Sequence, residues 1–261
     1  MTTALLYGLI ASSGFLIGVL LGLFTSPPRR LLAAVIAFGA GTLVCALTFE
    51  LMEEAFETGA AAWSLAGFLL GALIYVVIDQ ALERAAAVSP KREGRDPRDV
   101  KPGAARIPET PEQAAVSGMA LLAGTVLDGV PENAAIGIGL AAEKGTGLGL
   151  VLLGAVFLSN LPGSMTSAIG MRAEGRSTAY IVLAWAIVAV ACTGACVLGY
   201  AVLGGLPPQV IGAVLALAAG GILAMLADTM MPEAFQNGGP WVAMATAVGF
   251  ACAFMLARLT H

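Results

Sequence analysis

The chain has 261 residues, of which 58% are hydrophobic and only 11% are charged, and its net charge at pH 7 is −4. A soluble domain carries about 25% charged residues. This chain therefore lacks the polar surface of a water-soluble enzyme, a nucleic-acid-binding protein or a disordered chain. The composition predicts an all-α polytopic membrane protein, whose surroundings are membrane lipid and which binds no nucleic acid.

Eight apolar runs are long enough to cross a bilayer as helices. They are Thr3–Phe24, Leu31–Phe49, Gly59–Ile78, Ala114–Ala142, Thr146–Met171, Thr178–Leu203, Pro208–Phe235 and Trp241–Ala257. We predict a single transmembrane domain over 1–261, with spans one to three in 1–83, spans four and five in 113–172, and spans six to eight in 177–261. The segment 84–112 is polar and rich in proline, so it is predicted to be a loop.

The positions of the basic residues predict the orientation of the chain in the membrane. If the N-terminus lies outside, eleven of the thirteen Lys and Arg residues fall on the inner side, and seven of them are in the loop 84–112. Basic loops remain in the cytoplasm. Both termini are therefore predicted to be extracytoplasmic, and the long loop is predicted to be cytoplasmic.

The second and seventh spans contain related sequences. Between 34–59 and 213–238, eleven of 26 positions are identical at a constant offset of 179, and Met-x-Glu-Ala-Phe occurs in both copies. Spans one to three then correspond to spans six to eight. The two copies start five spans apart, so they have opposite orientations. This arrangement predicts a 3+2+3 inverted repeat, which is typical of transporters with a site near the middle of the membrane.

The fourth span carries two acidic residues, Asp128 and Glu132, in an otherwise apolar run. They are four residues apart, so both carboxylates lie on one face of a helix. Each intramembrane acid costs about 2.5–3.5 kcal/mol on insertion scales, and such residues usually face a bundle interior or an aqueous cavity. The alternative is that these acids are polar packing groups in a kinked helix.

Two prolines lie at similar places in the fourth and fifth spans. Pro131 and Pro162 each remove a backbone hydrogen bond and are predicted to kink their helices. The fifth span adds oxygen ligands in Ser159 and Asn160, and the freed carbonyl groups are further candidates. Together with Asp128 and Glu132, these groups predict a cation site between the two spans.

A second group of acids lies toward the ends of the second and seventh spans. Glu50 and Glu53 belong to a helical face of four glutamates that either attracts cations to an entrance or is a solvated helix end. In the repeat, Asp228 and Thr229 align with Phe49 and Glu50. We therefore expect Glu50, Glu53 and Asp228 to line the path to the site.

The motifs of the fourth and fifth spans, D-G-V-P-E-N (128–133) and S-N-L-P-G-S (159–164), resemble those of the ZIP family of divalent-metal transporters. The family has eight spans, outer termini and a cytoplasmic loop after the third span, with H-N-x-P-E-G in span four and a related N-x-P-E-G in span five. The resemblance covers nearly the whole chain. Within the family, the chain is similar to the prokaryotic GufA-like branch, which implies that it lies in a bacterial inner (plasma) membrane.

The resemblance assigns site residues position by position. Residues that match the family pattern are Pro131, Glu132, Asn160 and Pro162. Asp128 stands where the family has histidine, and Ser159 stands where it has histidine or glutamine. Gly129 and Gly163 replace a family asparagine and glutamate, so two ligands are lost. Asn133 and Ser164 replace motif glycines and are candidate replacement ligands.

These residues imply a transporter whose substrate is a divalent metal ion, of the zinc, manganese or iron class. An all-oxygen site suits hard cations such as Mn²⁺, while Zn²⁺ would still bind. No organic cofactor is expected, and a homodimer is left open. The alternative is a degenerate, non-transporting relative that has a regulatory or metal-sensing role.

An intramembrane enzyme is disfavoured by the sequence. The chain has one histidine, which excludes an H-E-x-x-H protease. Asp128 and Asp228 have no recognisable catalytic context, so we expect no enzyme activity.

Overall fold

A computed structural model describes residues 1–25, 27–87, 118–142, 150–203 and 206–260. Within these ranges nearly all residues are helical and none is in a strand, so the all-α prediction is confirmed. The α-helices are α1 (Thr2–Phe24), α2 (Arg29–Ala46), α3 (Glu53–Thr58), α4 (Ala61–Ala87), α5 (Gly118–Ala142), α6 (Leu150–Ala173), α7 (Thr178–Leu203), α8 (Pro208–Met225), α9 (Met231–Gly238) and α10 (Val242–Thr260).

Six helical segments in the described ranges are long and apolar enough to cross a membrane. They are Thr2–Phe24, Arg29–Thr58, Ala61–Ala81, Leu150–Ala173, Thr178–Val202 and Pro208–Leu259, the last of which is 52 residues long. Large apolar side chains on these helices point outward, among them Leu69, Leu183 and Val190. Such a surface is compatible with an integral membrane protein, because lipid covers what water would not.

The helix bounds agree with the predicted spans at most ends. One difference is α4, which continues to Ala87 and includes the first residues of the predicted loop. Residues 85–87 are alanines, and alanine has the highest helix propensity, so the helix outlasts the apolar run. The rest of the loop lies outside the described residues, as do 114–117 at the start of the fourth predicted span and 146–149 at the start of the fifth.

Two π-helical turns interrupt helices in the two copies of the sequence repeat. Leu47–Met52 joins α2 to α3, and Leu226–Met230 joins α8 to α9. The starts of α2 and α8 are 179 residues apart, as are their ends and the starts of the two π turns. This is the offset of the repeat. Single π turns are frequent at functional sites, and no local pattern in the sequence predicts the first of the two.

Glycines set the distances between helices. Gly14, Gly18 and Gly22 of α1 lie directly against backbone carbonyls of α6, so a side chain at any of them would collide with α6. Gly137 of α5 and Gly199 of α7 bring these two helices together in the same way. Small residues allow such close approach within membranes. The result is a group in which α1 packs on α6 and α5 packs on α7.

Equivalent glycines pack each copy of the repeat against the helix that follows the other copy. Gly41 of α2 packs against the Thr246 carbonyl of α10, and Gly220 of α8 packs against the Phe68 carbonyl of α4. Gly41 and Gly220 are equivalent positions at the offset of 179. Each therefore contacts a helix that follows the other copy, which ties the first and last thirds of the chain together.

Candidate functional site

The centre of the candidate site lies between α5 and α6. The hydroxyl of Ser159 donates a hydrogen bond of 3.0 Å to Oε2 of Glu132, and it also contacts the carbonyl of Val156. The Glu132 side chain is only 1% exposed. Burying a carboxylate is costly unless a donor or a cation stabilises its charge. The structure thus brings together two side chains that the sequence assigned to one site, in a setting where a cation would be favourable.

Asp128 occupies the turn of α5 that precedes Glu132. Its backbone position places it on the same side of the helix as Glu132. The Asp128 side chain lies outside the described residues, so its part in the site stays a prediction.

Asn133 makes its hydrogen bonds away from the Glu132–Ser159 pair. Its Nδ2 donates to the carbonyl of Gly129 at 2.8 Å, and its Oδ1 accepts from the hydroxyl of Ser12 at 3.4 Å. Thr193 of α7 contacts the same Ser12 hydroxyl at 3.3 Å. All three side chains are buried, so they form a polar connection from α5 through α1 to α7.

Sequence reasoning missed Ser12 and Thr193. Each is one hydroxyl residue in an apolar span, without a motif around it. The available signal was that a hydroxyl inside a membrane span needs a partner. Ser12 contacts Asn133 directly and Thr193 contacts Ser12, so both residues support the position of the Asn133 side chain.

Asn160 and Ser164 of α6 are both buried. The side-chain Nδ2 of Asn160 donates to the backbone carbonyl of Ala11 in α1 at 3.2 Å. The hydroxyl of Ser164 donates to the backbone carbonyl of Asn160 at 2.7 Å. With Nδ2 bound to α1, the oxygen is the atom of this amide that can coordinate a cation. Ser164 instead contacts backbone carbonyls, including that of Leu161.

Both prolines lie inside continuous helices. α5 runs through Pro131 and α6 runs through Pro162. The predicted loss of one backbone hydrogen bond at each proline therefore does not break the helix, and the kink angle stays a prediction. The hydroxyl of Thr166 donates to the Pro162 carbonyl at 2.9 Å, so local hydroxyl groups satisfy backbone acceptors near the proline.

The predicted path residues differ in their surroundings. Glu50 lies in the first π turn and is buried, and its Oε2 accepts a hydrogen bond of 2.8 Å from the backbone N–H of Leu152. Leu152 is in the first turn of α6, where N–H groups lack partners within the helix. Glu53 is exposed on α3, and Asp228 is exposed in the second π turn.

Gly163 marks the position where the ZIP-like pattern expects a glutamate. A Cβ atom at this glycine would lie 3.1 Å from Oγ1 of Thr125 in α5. The position thus faces α5, one turn before Asp128. A carboxylate there would extend toward α5, and its absence allows close packing of the two helices.

The donor set consists of oxygen atoms. Among the described residues, no group of three or more His, Cys, Asp or Glu residues is placed to hold a metal ion. The groups brought into contact that could bind one are the Glu132 carboxylate and the Ser159 hydroxyl, and Asp128 and the Asn160 amide oxygen are predicted additions. The sequence matches no model of a known protein family and no curated protein.

Proposed function

We propose that this chain transports a divalent metal cation across a bacterial inner membrane by alternating access, in the manner of a ZIP-like transporter. The observation that carries the proposal is the buried Glu132 carboxylate hydrogen-bonded to Ser159 between two membrane-length helices. An ionisable group at such a place is expensive and marks an ion path or a functional partner.

The proposal includes eight spans in a 3+2+3 inverted repeat. The supporting observations are the matched bounds of α2 and α8, the π turn at the same register in both, and the reciprocal packing of Gly41 and Gly220. In this arrangement α3 extends the second span, and α9 extends the seventh. Sites in inverted-repeat transporters lie near the middle of the membrane, and Glu132 is near the middle of α5.

The proposed substrate is a hard or borderline divalent ion. Carboxylate, hydroxyl and amide oxygens are typical of Mn²⁺ and Mg²⁺ sites. Fe²⁺ and Zn²⁺ also bind to such ligands, and Zn²⁺ binds them more tightly than Mn²⁺ by the general order of metal affinities. Selectivity among these metal ions then depends on the geometry of the site and on the supply of each ion.

A metal-binding but non-transporting protein is the second candidate. It is favoured by the position of Asn133, whose side-chain oxygen accepts from Ser12 instead of facing Glu132, and by the loss of a carboxylate at Gly163. Fewer ligands would weaken a site that must bind and release an ion during each cycle.

Uptake by proteoliposomes separates these two candidates. Purified full-length protein is reconstituted, and entry of Mn²⁺ and Zn²⁺ is measured with a trapped fluorescent chelator, alongside equilibrium metal binding in detergent. Saturable uptake above that of empty vesicles supports the transporter. Metal binding without uptake supports the regulatory alternative. The absence of both binding and uptake would contradict both candidates.

A further inference from the structure

A second polar feature lies far from Glu132 along the chain, where α9 turns into α10 beside the start of α2. A cavity of about 620 Å³ opens there. It is lined from α2 by Arg30 and Ala34 and from the turn by Asn237, Gly238, Gly239, Pro240, Trp241 and Val242. The turn includes Gly239, whose φ of +68° is accessible mainly to glycine. The transport proposal gives this cavity no role.

The cavity has a positive lining. Arg30 is exposed and makes no hydrogen bond or ion pair with any described residue. None of the lining residues is acidic, and the first turn of α2 contains two arginines and no acid. Glu233, one turn deeper in α9, is buried and is not part of the lining. An anion would therefore be attracted to this cavity.

The surroundings of the cavity are those of a membrane surface. Trp241 is 82% exposed. Two other apolar residues close in sequence to the cavity lining, Leu31 and Phe235, are also exposed. Tryptophan is enriched at the level of lipid headgroups, and arginine extends its charged end into this zone. An anion that also carries hydrocarbon chains would use both the arginine and the apolar rim.

We propose that this cavity binds the headgroup of an anionic phospholipid, with the Arg30 guanidinium paired to the phosphate and Trp241 packed against the glycerol end of the acyl chains. Arginine is suited to this pairing because its planar group can donate two parallel hydrogen bonds to a phosphate. Asn237 adds a polar side chain to the lining; its Nδ2 donates to the Glu233 carbonyl at 2.8 Å, which holds the amide in place.

The other copy of the repeat provides an internal comparison. At the offset of 179, Arg30 corresponds to Gln209 and Trp241 corresponds to Ala62. The equivalent end of the molecule has an exposed tryptophan one residue further along, Trp63, but it lacks the cation. The proposed lipid site belongs to one end only, and it does not depend on the orientation of the chain or on metal transport.

The test is lipid binding by the full chain in detergent, measured as the shift of the thermal unfolding midpoint during titration with short-chain phosphatidylglycerol. We expect saturable stabilisation of the wild type and a loss of affinity of about 10-fold or more in Arg30→Gln, as for a hydrogen bond between charged groups. The matched control is Arg176→Gln, which removes the same charge from a side chain that already pairs with Glu174 and lies over Tyr180.

Three further measurements define the outcome. Phosphatidylcholine of the same chain length should bind at least several-fold more weakly, and sodium phosphate should produce no comparable shift. Arg30→Lys should retain part of the affinity, which keeps the test valid if Arg30→Gln is unstable. Equal affinity in wild type and both Arg30 variants would overturn the proposal, as would equal binding of phosphatidylcholine or of free phosphate.

Discussion

The hydroxyl of Ser159 donates a 3.0 Å hydrogen bond to the carboxylate of Glu132, across the interface of α6 and α5. This contact joins the two helices at a buried acid. The hydroxyl stabilises the carboxylate from one side, and a cation bound from another side would compensate the remaining charge. The metal-transport account depends on this pair more than on any other contact.

Substitution of Gly18 should destabilise the fold. A Cβ atom there would collide with the backbone of Leu161 and with the hydroxyl of Ser164, so Gly18→Ala should force α1 away from α6. We expect a loss of about 1–3 kcal/mol, as for other overpacked positions, seen as a lower thermal midpoint in detergent. Gly194→Ala is the control, because no atom lies within 4 Å of its Cβ position, and it should stabilise by up to about 1 kcal/mol.

Glu50 should act on stability through the N-terminus of α6. Its carboxylate accepts from the Leu152 N–H at 2.8 Å, so Glu50→Ala should lower the free energy of unfolding by about 1–3 kcal/mol. Glu50→Gln keeps an acceptor oxygen and should lose less. Glu57→Ala, an exposed residue on α3, should leave the unfolding midpoint unchanged. A path role for Glu50 would appear separately, as a higher KM for uptake by Glu50→Gln at a temperature well below the unfolding midpoint of that variant.

The positions of the helices could be predicted from the sequence because apolar runs of membrane length leave little choice of structure. Glu132 and Ser159 could be grouped because each stands out in such a run, near a proline at the same depth. The π turn at Leu47–Met52 could not be predicted, because no proline or glycine marks it. Contacts between distant helices, such as Ser12 with Asn133, depend on packing that no local pattern encodes.

Restoring the family ligands should change metal preference. Asp128→His supplies a nitrogen ligand, and Gly163→Glu supplies a carboxylate that would point toward α5. Each new ligand is expected to contribute about 1–3 kcal/mol, or about 5–150-fold, to Zn²⁺ affinity. Competition between Zn²⁺ and Mn²⁺ for uptake measures the change.

Two variants control for packing in this experiment. Thr125→Ala in the same background makes room for the new glutamate, because Thr125 Oγ1 lies 3.1 Å from the Cβ position of Gly163. Gly163→Ala adds bulk without a carboxylate and should leave the preference unchanged. An unchanged preference in the double variant with Thr125→Ala would place the metal elsewhere, with Glu50 and Asp228 as the next candidates.

The orientation in the membrane can be tested by thiol labelling of intact cells. Arg95→Cys lies in the predicted cytoplasmic loop and should resist a membrane-impermeant thiol reagent until the cells are opened. Arg258→Cys, at the end of α10, should react from outside. The background variant must lack Cys252, which is exposed, whereas the other three cysteines are buried. The opposite labelling pattern would reverse the proposed topology.

The measurement closest to the central claim is uptake of Mn²⁺ and Zn²⁺ by proteoliposomes that contain the variant Asp128→Asn with Glu132→Gln. Both changes keep the shape of the side chains and remove their charge. The account predicts saturable uptake by the wild type and by Glu174→Gln, the control, which changes an acid that lies just beyond the end of α6 and pairs with Arg176. It predicts uptake at the level of empty vesicles for the double variant. Wild-type uptake by a correctly folded double variant would contradict the assignment of the cation site to α5 and α6.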